Sequence, residues 1–334
     1  MRRDRPEIGL GFQSDKTAEE YAELARAAEA AGFDVLSVFS DLMYQPPVFP
    51  LLVMAGVTER VRLGPACLNP YSLAPFEIAG QTAALDLASH GRAYVGMARG
   101  AWLGDVGIEQ TRPVTTLREA ATVVGRLLGA DDRGFEGEVF RLARGTRLAY
   151  EPARSRVPLL IGTWGPRAAA LAGEIADEVK IGGTANPDMV SVMRERIRVG
   201  ADAVGRDVDE VGVVVGAVTV VARDGDEARR HARREVAMYI DVVADLDPTL
   251  ELPSDLLTEL RGHLQAGRPR EAGAAIPDDL LDRFAFAGDP DHVAAIARGV
   301  LEAGAARVEF GTPHGLTDRE GVELLGREVL PKLR

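Results

Sequence analysis

The sequence predicts an α/β fold, a (β/α)8 TIM barrel with insertions, and three observations carry that expectation. Short β-branched runs alternate with helical stretches along most of the 334 residues, and a strand–helix–strand rhythm makes a parallel sheet. The runs that read as strands number eight, which is the number that closes such a barrel. No linker or low-complexity segment breaks the series, so residues 1–334 read as a single domain.

The first strand is expected at Ile8–Phe12 and the second at Val35–Phe39. Between them, "TAEEYAELARAAEAAGF" supplies Thr17 as N-cap with Glu20 three residues on, an apolar face from Tyr21, Leu24, Ala25 and Ala28, and Gly32 as terminator. The third strand, Val61–Ala66, runs into a loop crowded with Gly64, Pro65, Pro70 and Pro75 around Cys67. The helices "PFEIAGQTAALDLASHG", "PRAAALAGEIAD" and "PDHVAAIARGVLEAGA" all open on proline, whose missing N–H is no loss in a first helical turn. They lead to or follow strands at Ala93–Met97, Leu159–Gly162, Val179–Gly182, Val213–Val221 and Val308–Gly311. Two insertions depart from the rhythm. Residues 130–157 contain "FEGEVFRL", a hairpin with Gly137 at its turn, and residues 236–285 read as short helices between the seventh and eighth strands. The run "RDGDEARRHARREV" pairs acid and base three or four apart, the mark of a solvated helix face.

Composition narrows the function. A formal charge of -12 with 27% charged residues describes an acidic surface that repels phosphate backbones and anionic lipid, so neither nucleic acid nor a membrane is an expected partner. The tract Val211 to Ala222 is too short to cross a bilayer. One cysteine forms no internal disulfide, and "MRRDRPEIGLGF" lacks an apolar signal region, so a cytoplasmic protein is expected.

Active sites of such barrels lie at the C-terminal strand ends. "IGTWGPRAAALAG" places Gly162, Thr163, Trp164 and Gly165 between strand and helix, and "IGGTANP" places Gly182, Gly183 and Thr184 at the next strand end. Two glycine-rich turns side by side suit a phosphate, although a turn of this kind is often only a turn. A rival dinucleotide reading starts from Gly9 and Gly11 in "IGLGFQS", with Asp41 as a ribose-binding acid, but Ser14 stands where a third glycine belongs. The five histidines show no metal-ligand spacing, and no GxSxG elbow is present. His314 in "GTPHG" is the one histidine at a strand's functional end, where a structural role and ligand contact both remain open.

Taken together, "EIGLGF", "AEAAGFDVLSVFSD", "RLGPACLNPYSLAPFEIAGQTAALDLASHGRAYVGMARG", "PLLIGTWGPRAAALAGEIADEVKIGG" and "FAFAGDPDHVAAIARGVLEAGAARVEFGTPHG" resemble the luciferase-like flavin and deazaflavin oxidoreductases over nearly the whole chain. "GPACLNPYSLAP" is most similar to the branch that uses coenzyme F420, a deazaflavin. The resemblance implies a bacterial luciferase-like barrel with a non-prolyl cis peptide at Ala66–Cys67, packed against the back of the ring. It further implies Asp41 at the polar ring edge, Asn69 and Tyr71 flanking the ring, and Gly162, Thr163, Gly165, Gly182 and Gly183 at the phosphate end. Tyr44 and Trp102 are expected at the substrate, Trp102 with a packing role as its alternative, and proton donors are sought among Tyr44, Tyr71, Arg99 and His314. The implied activity is hydride transfer between the deazaflavin C5 and an electrophilic carbon (C=C, C=N or C=O) of a small molecule, in the direction of reduction. An FMN-dependent monooxygenase and a non-catalytic binding protein are the alternatives, and a homodimer is the assembly common in the family. Where sugar-phosphate dehydrogenases of the family carry a histidine and a glutamate, this sequence has Leu42 and, approximately, Arg99.

Overall fold

The computed structural model describes residues 5–243 and 246–334. The chain begins with β1 (Glu7–Phe12), α1 (Ala18–Ala31), β2 (Val35–Val38), α2 (Val48–Ala55), β3 (Arg62–Pro65), α3 (Pro75–Ala88), β4 (Val95–Ala98) and α4 (Pro113–Leu128). A hairpin of β5 (Phe135–Glu136) and β6 (Arg141–Leu142) precedes β7 (Leu159–Gly162), α5 (Pro166–Ile175), β8 (Glu178–Gly182), α6 (Asp188–Ala203), β9 (Gly212–Val221) and α7 (Gly225–Val243). The remainder is α8 (Ser254–Gln265), α9 (Pro269–Ala274), α10 (Asp278–Phe284), β10 (Ala285–Gly288), α11 (Pro290–Glu302), β11 (Arg307–Gly315) and α12 (Asp318–Leu324).

The strands run in the order β3-β2-β1-β11-β9-β8-β7-β4, every pair parallel. Parallel bridges Leu63–Ala93 and Leu68–Met97 join the two ends. The eight-stranded barrel expected from the sequence is therefore present. Local chemistry placed its helices: Thr17 and Glu20 form a reciprocal capping box at α1, Gly32 ends that helix at φ 97°, and prolines open α3, α5 and α11.

Two elements differ from the reading of the sequence. Ala285–Gly288 is a ninth strand beside the outer half of β9, and its four residues are wholly buried, so no alternation marks it off from the helices before it. The last strand also runs beyond Gly311 to Gly315, its register shifting between Gly311 and His314 where the Thr312–Pro313 peptide is cis. The 135–142 hairpin forms as expected, and Glu119 of α4 accepts hydrogen bonds from the N–H groups of Glu138, Val139 and Phe140 at its turn.

The barrel interior holds buried charges beside the aliphatic side chains of Val35, Leu160 and Val214. Arg307 and Glu309 alternate along β11 and Glu178 and Lys180 along β8, all buried. Lys180 pairs with Glu309, Glu309 accepts from Ser37 at 2.5 Å, and Ser37 meets Tyr94 at 2.7 Å. Below them, Arg307 and Arg62 reach Glu178 at 3.3 and 3.2 Å. Small residues make the room. A Cβ on Gly9 would lie 3.5 Å from Arg307 Cδ, and one on Gly11 would lie 2.7 Å from the Phe39 ring and 3.1 Å from Glu309 Oε1. The two glycines of "IGLGF" are thus explained by what fills the barrel. The dinucleotide reading fails, because β1 belongs to a closed barrel and not to an open-edged sheet.

Candidate active site

At the C-terminal strand ends, β2 delivers Asp41 and β1 delivers Gln13, whose Nε2 donates to Asp41 Oδ2 at 3.1 Å. Burial pushes the Asp41 carboxyl above its ordinary range, against the opposing pull of Gln13 and the Lys180 ammonium. The Gln13 Oε1 is buried without a hydrogen-bond partner. Lys180 Nζ lies 5.0 Å from the centre of the Phe39 ring, one layer below the mouth. Tyr239 of α7 comes over the rim: a Cβ on Gly183 would sit 3.9 Å from its ring and 3.7 Å from Val243. Burial pushes the Tyr239 phenol up to about 12, and Asp41, Glu235 and Tyr44 are the ionisable groups it faces.

The Ala66–Cys67 peptide is cis, at the bond the resemblance implied. Although Cys67 as a residue is only half-buried, its sulfur is packed 2.9 and 3.4 Å from where side chains of Gly162 and Gly96 would begin. Burial pushes that thiol up to about 12, so it stays protonated at neutral pH. Gly162 is small because the Cys67 sulfur occupies its side-chain space.

Several residues expected at the cofactor are engaged within the protein. Asn69 Oδ1 accepts from the N–H groups of Tyr71 and Ser72 and from the Ser72 hydroxyl, so it holds the β3 loop. The Tyr71 hydroxyl donates to the Thr111 carbonyl at 2.6 Å, which ties that loop to the one after β4. The Gly183 and Thr184 amides both donate to the Gly216 carbonyl, and the Thr184 hydroxyl is buried against Arg283 O. The "IGGT" turn therefore closes on its neighbouring strand and does not present these amides to an anion. Thr163 N donates to Lys180 O, Gly165 N to Thr163 Oγ1, and Trp164 Nε1 to Gly182 O.

What stays open is narrower. Nothing lies within 4 Å of a Cβ built on Gly182, and α5 begins at Pro166 with no side chain capping its first turn. Tyr44, Arg99 and Trp102 are exposed on the loops after β2 and β4. His314 is not exposed. Its ring packs 4.9 Å from Phe12, its Nδ1 meets Asp318 at 2.9 Å, and its Nε2 is buried without a partner.

The sequence reading missed Gln13, Lys180 and Glu309. Charged residues two apart inside otherwise apolar strands, "EVKIG" and "RVEFG", were the available signal for the interior pair. Among the described residues no cluster of His, Cys, Asp and Glu could hold a metal ion, and no helix is long and apolar enough to cross a membrane.

The profile of a family described as luciferase-like monooxygenase matches residues 5–307. A 5,10-methylenetetrahydromethanopterin reductase from Archaeoglobus fulgidus is 28% identical over 337 residues, covering 98% of this chain and 99% of its own. An F420-dependent glucose-6-phosphate dehydrogenase from Nakamurella multipartita is 28% identical over 98% of this chain and 97% of its own. Among solved structures, a coenzyme F420-dependent tetrahydromethanopterin reductase from Methanopyrus kandleri superposes with a TM-score of 0.90 at 26% identity, over 99% of this chain and 100% of that one.

Proposed function

The chain belongs to the luciferase-like monooxygenase family, and on that premise we propose that it is a coenzyme F420-dependent oxidoreductase acting on a small organic electrophile. The observation that carries this reading is an end-to-end likeness, insertions included, to F420-dependent reductases. The favoured direction is reduction of a C=C, C=N or C=O bond. The reading places the enzyme in the cytoplasm, as a homodimer, with neither nucleic acid nor membrane as partner.

The residues present fit a flat cofactor with an anionic tail. Gly182 leaves open space where any side chain would intrude, and the uncapped first turn of α5 offers N–H groups and a positive dipole end to a phosphate. When bound, the deazaflavin supplies a carbon that gives or takes a hydride. The chain's own part is positional. The main chain at Ala66–Cys67 would form the floor, and Gln13 fixes the rotamer of Asp41 so that its carboxylate can accept from the polar ring edge. Substrate would lie over the opposite face, held at transfer distance while water is excluded. Since Tyr71 is engaged and His314 buried, the phenols left at the mouth to hold a proton for the substrate are Tyr44 and Tyr239.

The competing reading is an FMN-dependent monooxygenase, of which the family's description shares only the word monooxygenase. A fluorescence titration with F420 beside FMN separates the two. We expect F420 to bind at least about tenfold more tightly, with Asp41→Ala weakening it and no oxygen uptake by the reduced complex. Tighter binding of FMN, with oxygen uptake, would overturn the proposal.

A further inference from the structure

We infer that the substrate is an uncharged electrophile with an apolar or aromatic body, gripped by a wall built from the loops after β2 and β4 and from α7. The inference rests on the preceding functional reading and goes beyond it, since that reading leaves the substrate class open. Three observations on different elements converge. Large apolar side chains on these three elements stand in water: Met43 is 86% exposed, Met238 55% and Trp102 51%. The end of α7 reaches the same mouth, since a Cβ on Gly183 after β8 would sit 3.9 Å from the Tyr239 ring, and the loops after β2 and β4 open at that end of the barrel.

The second observation is in the backbone. Met43 and Trp102 have φ of 67° and 55°, in the left-handed region that bulky residues avoid. Each therefore combines an unfavourable backbone with an exposed apolar side chain. Such positions cluster where a ligand supplies the missing interaction.

The third is the state of the nearby cations. Lys180 is paired with Glu309 and Lys16 with Asp15 and Asp318. Arg196 donates to Trp164 O and Arg283 to Asn186 and Asp188. Arg99 is exposed at the rim, where water screens it. A phosphate- or carboxylate-bearing substrate would meet the Asp41 carboxylate with little to balance it, whereas an apolar body would cover Trp102 and the two methionines.

The test uses a matched pair, 4-phenylbut-3-en-2-one and its para-carboxylate, with dissociation constants measured by calorimetry on F420-loaded protein and on protein alone. The neutral enone should bind at least about tenfold more tightly than the carboxylate. Trp102→Ala and Met43→Ala should each weaken it by about fivefold or more, with the affinity for F420 itself unchanged. Equal or tighter binding of the carboxylate, lost on Arg99→Ala, would overturn the inference. So would failure of both compounds to bind, or variants that leave the enone's affinity unaltered. Failure of F420 to bind would instead strike the functional reading, and the enone-to-carboxylate ratio on protein alone would still decide the chemistry of the wall.

Discussion

Replacing Lys180 by methionine tests the account of the barrel interior. The substitution removes the ammonium from a pair whose side chains are 8% and 1% exposed and leaves Glu309 in the core. Glu309 would retain Ser37 at 2.5 Å and Arg307 at 3.9 Å, too little to replace a direct partner. Breaking a buried pair by removing one member costs about 3–5 kcal/mol. With an unfolding entropy of about 2.1 cal/mol/K per residue, 334 residues give about 0.7 kcal/mol/K, so Tm should fall by about 4–7 °C at pH 7.

The pH dependence carries the sharper signature. In the parent, Lys180 and Arg307 outweigh burial and hold the Glu309 carboxyl below its ordinary value, so its contribution is present above the unfolded pKa and lost as pH falls through the folded one. In Lys180→Met the nearer of the two opposing charges is gone, only Arg307 at 3.9 Å remains, and burial raises that pKa. The folded variant then binds more protons than the unfolded chain, and its deficit should shrink between pH 7 and pH 5. Adding Glu309→Gln should recover at least about 2 kcal/mol of the loss in a double-mutant cycle. Urea denaturation of the four proteins at both pH values measures this. A Lys180→Met cost below about 1 kcal/mol at pH 7, or additive single effects, would refute the reasoning.

Burial raises the Asp41 pKa, so the folded state binds its proton more tightly than the unfolded state and stability from this group declines as pH rises from the unfolded value through the folded one. Asp41→Asn should therefore raise Tm at pH 7 while weakening F420 in a fluorescence titration. A Cβ on Gly96 would overlap the Pro65 carbonyl oxygen on the adjacent strand. Because backbone cannot yield as a side chain does, Gly96→Ala should be destabilised by more than about 4 kcal/mol or recovered only as aggregate. With its thiol pushed up to about 12, native Cys67 should react with iodoacetamide far more slowly at pH 8 than in urea-unfolded protein. Stopped-time alkylation followed by mass spectrometry checks this, and equal rates would contradict the packing of its sulfur.

The sequence by itself determined whatever depends on neighbours within a few residues. The Thr17–Glu20 box, the prolines at the heads of α3, α5 and α11, the eight barrel strands and the placing of Asp41 after β2 all follow from short-range periodicity and backbone chemistry. Tertiary structure decided what depends on which strands become neighbours and how their layers align. The Gly183 and Thr184 amides read as anion donors until β9 brings the Gly216 carbonyl against them, and Gly162 reads as part of a phosphate loop until the Cys67 sulfur arrives from β3. His314 turns inward because the shifted end of β11 sets it against Phe12 and Asp318, while α7 carries Tyr239 back over β8 from the insertion. A hydrogen-bonding or charged group takes its role from its partner, and in a closed barrel that partner is fixed by strand order and stagger.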